Sequence, residues 1–283
     1  MRRKKRKMNI YCVANMDIVG SRRVKDREQL QNNLNSYIEQ LNRKYSDILV
    51  APITITLGDE WQFIINKPSK AYSLIHEFQQ LLWRDNVELY AGIGIGELST
   101  LVSDDVRKMD GPCFHAARDA FKIIKETNKL KSKYSISKLN RVFLLSRSSP
   151  NNNFKSDILD FYYNIETNYS WPAYQEIAIS RETEDVCANR LLPNNKLILE
   201  RTINLIIENN EILKSKMTHK QKKVYVAYMK LRSYRKVVEV LENTTRETIG
   251  GISQKLNSAS YFTIQRNQQV VSLLLDTFCS PGE

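Results

Sequence analysis

Apolar positions along the first half of the chain recur in two periods, one typical of strands and the other typical of helices. Short apolar or alternating runs predict strands, whereas apolar residues spaced three and four positions apart predict amphipathic helices. The predicted strands lie at 10–14, 53–56, 61–65, 87–96 and 141–145, and the predicted helices at 25–45, 68–82 and 111–125. The order β-α-β-β-α-β, followed by α-β, predicts an α+β fold with a ferredoxin-like antiparallel sheet and helices on one of its faces.

Two aspartates follow predicted strands at points where the chain turns. Asp17 ends the first strand, and Asp59 lies in a Gly-Asp turn between two strands, which is a hairpin signal. Because Mg²⁺ takes one or two carboxylates and completes its shell with phosphates and water, Asp17 and Asp59 are candidate ligands for Mg²⁺ or Mn²⁺ if their strands are neighbours. The alternative is that both are ordinary turn residues.

The turn after Asp17 is a candidate phosphate-binding loop. Its backbone N–H groups precede a predicted helix, and helix starts favour bound anions. The residues of this candidate loop are Ile18, Val19, Gly20 and Ser21.

Glycines alternate with isoleucines in the predicted strand at 87–96. Gly92, Gly94 and Gly96 share one face of that strand, where missing side chains let another backbone or a ligand approach closely. A packed helix and a bound ligand are both consistent with this pattern.

The C-terminal part of the chain reads as a helical module. Helices are predicted at 218–231, 235–241 and 245–259, the last two joined by a short turn as in a helix-turn-helix, with a short wing at 261–264 and a last helix at 268–278. Residues 214–275 carry twelve Lys and Arg against three Glu, which favours double-stranded DNA as partner; a helical protein–protein module is the alternative. The candidate DNA contacts are Arg235, Lys236, Thr245, Arg246, Thr248 and Ser253.

Length and charge suggest how these parts are arranged. A chain of 283 residues is long enough for two domains, and its net charge of +12 favours a polyanionic partner. Part of that charge is a basic N-terminal run, which could contact nucleic acid or an anionic membrane surface or remain solvated. The predicted divisions are a disordered arm at 1–8, an α/β domain at 9–147, a connecting helical segment at 148–213 and a (winged) helix-turn-helix domain at 214–283.

Some protein classes are disfavoured by composition. No apolar run approaches the roughly 20 residues of a membrane helix, so no membrane span is predicted. The four cysteines are far apart and form no CxxC pair, which argues against a zinc site and a disulfide framework and favours a cytoplasmic location.

Three motifs resemble those of class III nucleotidyl cyclases, and the second also resembles the hairpin of diguanylate cyclases. They are, in chain order, Asp17-Ile18-Val19-Gly20-Ser21, Gly58-Asp59-Glu60, and Asp110-Gly111-Pro112 with Ala116-Ala117-Arg118. Over the whole chain the resemblance is to the SatD family, a bacterial group that combines such a domain with a C-terminal helix-turn-helix. The similarity covers about 9–147 and 200–275.

The resemblance implies roles for these residues. Asp17 and Asp59 would bind the metal, Arg118 would be the catalytic arginine that stabilises charge on a transferring phosphoryl group, and the protein would be a homodimer, since cyclase sites form between two chains. Two positions depart from the cyclase pattern: Ile55 replaces the purine-recognising lysine, and Phe114 replaces an asparagine.

These departures favour a DNA-binding regulatory protein whose cyclase-like domain binds a metal–nucleoside triphosphate, or another nucleotide, as a sensor. The alternative is an active Mg²⁺- or Mn²⁺-dependent nucleotidyl cyclase or nucleotidyltransferase with an accessory DNA-binding domain. A third alternative is a degenerate scaffold that only mediates dimerisation.

Overall fold

The computed structural model describes residues 9–125, 136–147, 184–241 and 247–280. The fold is α+β, with a mixed sheet in the N-terminal part and a helical C-terminal region. Its elements are β1 (Tyr11–Ile18), α1 (Arg27–Lys44), β2 (Leu49–Leu57), β3 (Glu60–Ile65), α2 (Ala71–Leu82), β4 (Leu89–Gly96), α3 (Pro112–Lys125), β5 (Val142–Ser146), α4 (Glu184–Ser215), α5 (His219–Leu231), α6 (Tyr234–Leu241), α7 (Ile249–Ser258) and α8 (Tyr261–Cys279).

The five strands are ordered β2-β3-β1-β4-β5. β1 pairs antiparallel with both β3 and β4, and β2 pairs antiparallel with β3, so the predicted hairpin around Gly58 is confirmed. The prediction of a wholly antiparallel sheet is wrong at its edge, because β5 runs parallel to β4. The connection between these two strands contains α3, and parallel neighbours need such a crossover.

Helices cover both faces of this sheet, so the prediction of helices on one face is also wrong. Ala14 and Met16 of β1 belong to the core formed with α1 and α2. Val13, the neighbour of Ala14 in β1, packs instead with Cys113 and Ala117 of α3. Successive strand side chains point to opposite faces, so α3 lies on the face opposite α1 and α2.

The glycines of β4 allow this close approach of α3. A Cβ built on Gly94 would lie 2.1 Å from the carbonyl oxygen of Cys113 and 2.2 Å from the backbone nitrogen of Ala117. One on Gly92 would lie 2.2 Å from the backbone nitrogen of Phe121. Of the two explanations for the alternating glycines, helix packing is therefore the one that the structure supports.

The long helix α4 packs on the sheet edge, although residues 148–213 were predicted to form a connecting segment. Asn204 accepts the N–H of Leu144 at 2.9 Å and donates to its carbonyl at 2.8 Å, which satisfies the backbone of edge strand β5. Ile203 and Ile207 enter the main core beside α1 and α2. The described end of this segment is thus part of the N-terminal core.

The remaining helices match the predicted pattern except at two boundaries. The helix predicted at 218–231 is present as α5, and it begins with a capping box in which Thr218 and Gln221 bond reciprocally. α7 begins at Ile249 with Thr248 as its N-cap. The predicted wing at 261–264 is wrong, because these residues form the first turn of the 19-residue helix α8.

Residues 242–246, which hold the predicted turn together with Thr245 and Arg246, lie outside the described residues. None of the described helices is long and apolar enough to cross a membrane.

Candidate functional site

The pairing of β1 with β3 brings the two candidate metal ligands together. Asp17 lies directly opposite Glu60, the residue after Asp59. Asp59 sits in the hairpin turn, where Gly58 adopts a left-handed conformation with φ of 58°. The carboxylates of Asp17 and Asp59 are close enough for each to shift the pKa of the other, so the expected neighbourhood of the two strands is present.

The two carboxylates have opposite pKa shifts. Burial raises the pKa of Asp17 to about 6, with Asp59 adding to the shift and the ammonium of Lys125 opposing it. For Asp59, burial acts in the same upward direction. Its pKa is nevertheless lowered, because the side chains of Ser21 and Asp17 hydrogen bond to the carboxylate and Arg27 adds a favourable charge. Asp59 therefore loses its proton more readily than an ordinary aspartate, whereas Asp17 loses its proton only near pH 6.

One oxygen of this pair is unsatisfied. Asp59 Oδ2 is buried and has no hydrogen-bond partner among the described residues. An unpaired buried carboxylate oxygen is costly, and a bound cation is one way to compensate it. The observation fits a hard divalent ion coordinated by Asp17 and Asp59.

The protein would supply only a few of the ligands of such an ion. No group of three or more His, Cys, Asp or Glu side chains suited to a metal occurs in the described part of the chain. Two carboxylates with an open remainder are the arrangement that Mg²⁺ commonly uses when phosphates and water supply the other ligands.

Lys125 is the member of the site that sequence reasoning missed. Its Nζ lies 2.7 Å from Asp17 Oδ2 and 2.7 Å from Glu60 Oε1. Although partial burial opposes the shift, hydrogen bonds to these two carboxylates raise the pKa of Lys125. The available signal was its place on α3, about two helical turns after Arg118 and so on the same side of the helix.

The candidate phosphate loop is only partly a loop. Ile18 belongs to β1, where it is buried and pairs with Leu89. The Val19 N–H donates to the carbonyl of Glu88 at 2.8 Å. Gly20, with φ of 66°, lies in the actual turn, and Ser21 begins a three-residue 3₁₀ turn that precedes α1.

A groove of about 330 Å³ opens beside this turn. Val19 and Gly20 line one side, and Lys222 of α5 lines another. Lys222 also lies 3.9 Å from the carboxylate of Glu88 and 5.5 Å from the ring centre of Trp83. The groove thus connects the turn after Asp17 with the helical C-terminal region.

Arg118 is not among the groups that contact Asp17. Its guanidinium donates to Asp110 Oδ1 at 3.1 Å, and His115 Nε2 lies 3.2 Å from the other oxygen of that carboxylate. The positions that depart from the cyclase pattern are apolar contacts: Phe114 is buried, and Ile55 packs at the margin of the main core.

The candidate DNA-contacting residues that the structure describes lie on α6 and α7. Arg235 and Lys236 are exposed on α6. Thr248 accepts the N–H of Gly251 at 3.0 Å as the cap of α7, and Ser253 is half-buried on that helix.

Some of the positive charge counted toward DNA is internal. Lys214 is buried against Glu211, and Lys255 pairs with Glu247. The outward-facing cations are therefore fewer than the sequence count.

The SatD family model matches residues 11–163, which is more than half of the chain. A comparison with curated protein sequences found no significant match.

Proposed function

This chain belongs to the SatD family, and we propose that it is a DNA-binding regulatory protein whose N-terminal part senses a metal-bound nucleoside triphosphate. The sensor role rests on one observation, the neighbouring carboxylates of Asp17 and Asp59. Asp59 Oδ2 is buried and has no hydrogen-bond partner among the described residues. A polar pair of this kind, beside an open turn, suits a divalent ion that arrives with its own phosphate ligands.

The roles of the protein groups follow from their contacts. Asp17 and Asp59 would hold Mg²⁺ or Mn²⁺, and the ion would supply the positive charge that attracts phosphate. Ser21 helps to lower the pKa of Asp59 and would help to orient its carboxylate. Gly20 keeps the chain beside the site free of a side chain, so that phosphates can come close to the backbone.

The topology supports a cyclase-like architecture for this part. The strand order β2-β3-β1-β4, with α1 and α2 on one face, supports the proposal of a ferredoxin-like arrangement for these four strands. Sensing is favoured over turnover because Arg118 is paired with Asp110 and because Ile55 and Phe114 provide no polar group for a base.

The DNA-binding role rests on α6 and α7. These two short helices flank residues 242–246, and exposed Arg235 and Lys236 lie on the first of them. A helix-turn-helix of this kind places its second helix in the major groove, with flanking cations on phosphates. The homodimer remains a prediction from the cyclase resemblance.

A route from the nucleotide site to the DNA-binding helices is offered by the groove between Gly20 and Lys222. A nucleotide held near Asp17 and Asp59 through a bound metal would reach α5, the helix that precedes α6, by way of this groove. Occupancy could therefore shift α5, which contacts α6 and α7 in the same hydrophobic cluster.

The test is binding of each of the four ribonucleoside triphosphates with Mg²⁺ to the full-length protein, measured by calorimetry. Asp17→Asn and Asp59→Asn should each weaken Mg²⁺-dependent binding at least tenfold, whereas exposed Asp47→Asn should leave it unchanged. Unchanged affinity in the first two variants, with folding verified by circular dichroism, contradicts the site. A cyclic or linked nucleotide product that disappears in Asp59→Asn would instead establish the enzymatic alternative.

A further inference from the structure

Lys125, the last residue of α3, places a positive charge beside the carboxylates of Asp17 and Asp59. Lys125 Nζ is 2.7 Å from Asp17 Oδ2, on a side chain that retains 40% of its exposure. The carboxylate of Asp17 is only 9% exposed, so this ammonium covers the solvent side of a nearly buried acid. A divalent ion bound by Asp17 would come close to the same oxygen.

Two cations cannot share this oxygen without cost. An ammonium and a divalent ion that contact the same carboxylate oxygen repel each other, and the partly buried surroundings screen that repulsion weakly. Metal binding at Asp17 therefore competes with the ion pair between Asp17 and Lys125.

Lys125 has a second carboxylate partner besides Asp17. Glu60 Oε1 also lies 2.7 Å from Nζ, and the ring centre of Phe121 lies 5.0 Å from it. The long lysine stem can rotate its charge from Asp17 toward Glu60 or toward incoming phosphates. The same charge that opposes a bare metal ion would favour a metal carrying phosphate.

We propose that Lys125 is an internal cation that excludes free divalent metal from the Asp17–Asp59 pair and admits metal bound to a polyphosphate. This inference rests on the proposed function, since it assumes that these aspartates take a metal. The consequence is positive coupling: phosphate raises the affinity for metal, and metal raises the affinity for phosphate by the same factor. A sensor built in this way reports the metal–nucleotide complex and not the concentration of free Mg²⁺.

The experiment measures Mn²⁺ binding to the full-length protein by electron paramagnetic resonance, first alone and then with inorganic tripolyphosphate. Lys125→Met should bind Mn²⁺ alone at least tenfold more tightly than the wild type. It should also lose most of the enhancement that tripolyphosphate gives in the wild type.

A second test variant and a control complete the experiment. Lys125→Gln should behave like Lys125→Met and keeps a polar group beside the carboxylates, so the result does not depend on one variant folding. The matched control is Lys70→Met, an exposed lysine beyond the end of β3 opposite to Glu60, and it should bind like the wild type.

The outcomes separate this inference from the proposed function. If wild-type Mn²⁺ binding is lost in Asp59→Asn but the Lys125 variants bind as weakly as the wild type, the exclusion role is wrong and the metal site stands. If neither the wild type nor the Lys125 variants bind Mn²⁺, with or without tripolyphosphate, both are wrong. Binding that is unaffected by Asp59→Asn also overturns both.

Discussion

The ammonium of Lys214 lies 2.7 Å from Glu211 Oε1, and both side chains are almost completely buried. This pair on α4 is bonded to two side chains of α2. Lys214 donates to Gln79 Oε1 at 2.7 Å, and the Tyr72 hydroxyl donates to Glu211 at 3.0 Å. A fully bonded ion pair therefore joins α4 to the N-terminal core.

Breaking this pair should destabilise the protein strongly. Lys214→Met leaves the Glu211 carboxylate buried without its counter-charge, and such a change costs about 3–5 kcal/mol in the free energy of unfolding. Urea denaturation measures this loss. Exposed Lys216→Met should change stability by less than about 0.5 kcal/mol. If Lys214→Met were tolerated equally well, the pair would not be a structural joint.

A second buried acid predicts a pH dependence of stability. Glu200 accepts the Ser146 N–H at 3.0 Å, while its Oε1 has no partner among the described residues. Burial raises the pKa of Glu200 from its ordinary 4.5 to about 7. The folded state therefore holds a proton that the unfolded state releases, and stability falls as pH rises from about 4.5 to about 7.

Glu200→Gln should remove this part of the pH dependence. The wild type is expected to lose on the order of 3 kcal/mol across that interval through this group, a loss that the uncharged amide cannot undergo. Unfolding free energies at several pH values, compared between the two proteins, isolate the contribution of Glu200. Parallel profiles for the two proteins would mean that Glu200 is not held protonated by folding.

The glycines of β4 predict a steep contrast between two alanine substitutions. Gly94→Ala places a Cβ 2.1 Å from the Cys113 carbonyl oxygen, so α3 must move, and overpacking of this kind costs about 1–3 kcal/mol or more. Gly250→Ala on α7 meets nothing within 4 Å and should be neutral or stabilising by up to about 1 kcal/mol. Thermal unfolding of both variants tests the contrast, and equal effects would contradict close packing of α3.

The local elements of this fold could be predicted because their signals are local. Each of these signals lies within a short stretch of sequence, as in the hairpin turn around Gly58, the capping box of Thr218 and the apolar stripe of α1. The proximity of Asp17 and Asp59 followed from the same signals once their strands were taken as neighbours.

Contacts between distant segments were not predictable. His76 of α2 is one example: it is 1% exposed because α5 packs over it, with the Tyr225 hydroxyl 3.0 Å from Nε2. Lys125 was missed for a similar reason. Helical periodicity identifies the apolar side of α3 but does not show which face of the sheet that side covers. The carboxylates that contact its last lysine therefore cannot be identified from the sequence.

The exposed cations of α6 predict the salt dependence of DNA binding. If Arg235 and Lys236 contact phosphates, replacing either by alanine should reduce the slope of log K against log salt by about 1, since fewer counterions are released. Fluorescence anisotropy with a labelled duplex at several salt concentrations measures this slope.

Exposed Lys70→Ala is the control for a general loss of positive charge and should keep the wild-type slope. Arg246→Ala, outside the described residues, should weaken specific binding by about 1–3 kcal/mol if it reads a base. If both α6 variants keep the wild-type slope, Arg235 and Lys236 do not contact DNA phosphates. Because the helices would then present their charge to another partner, that result would favour the alternative of a protein–protein module.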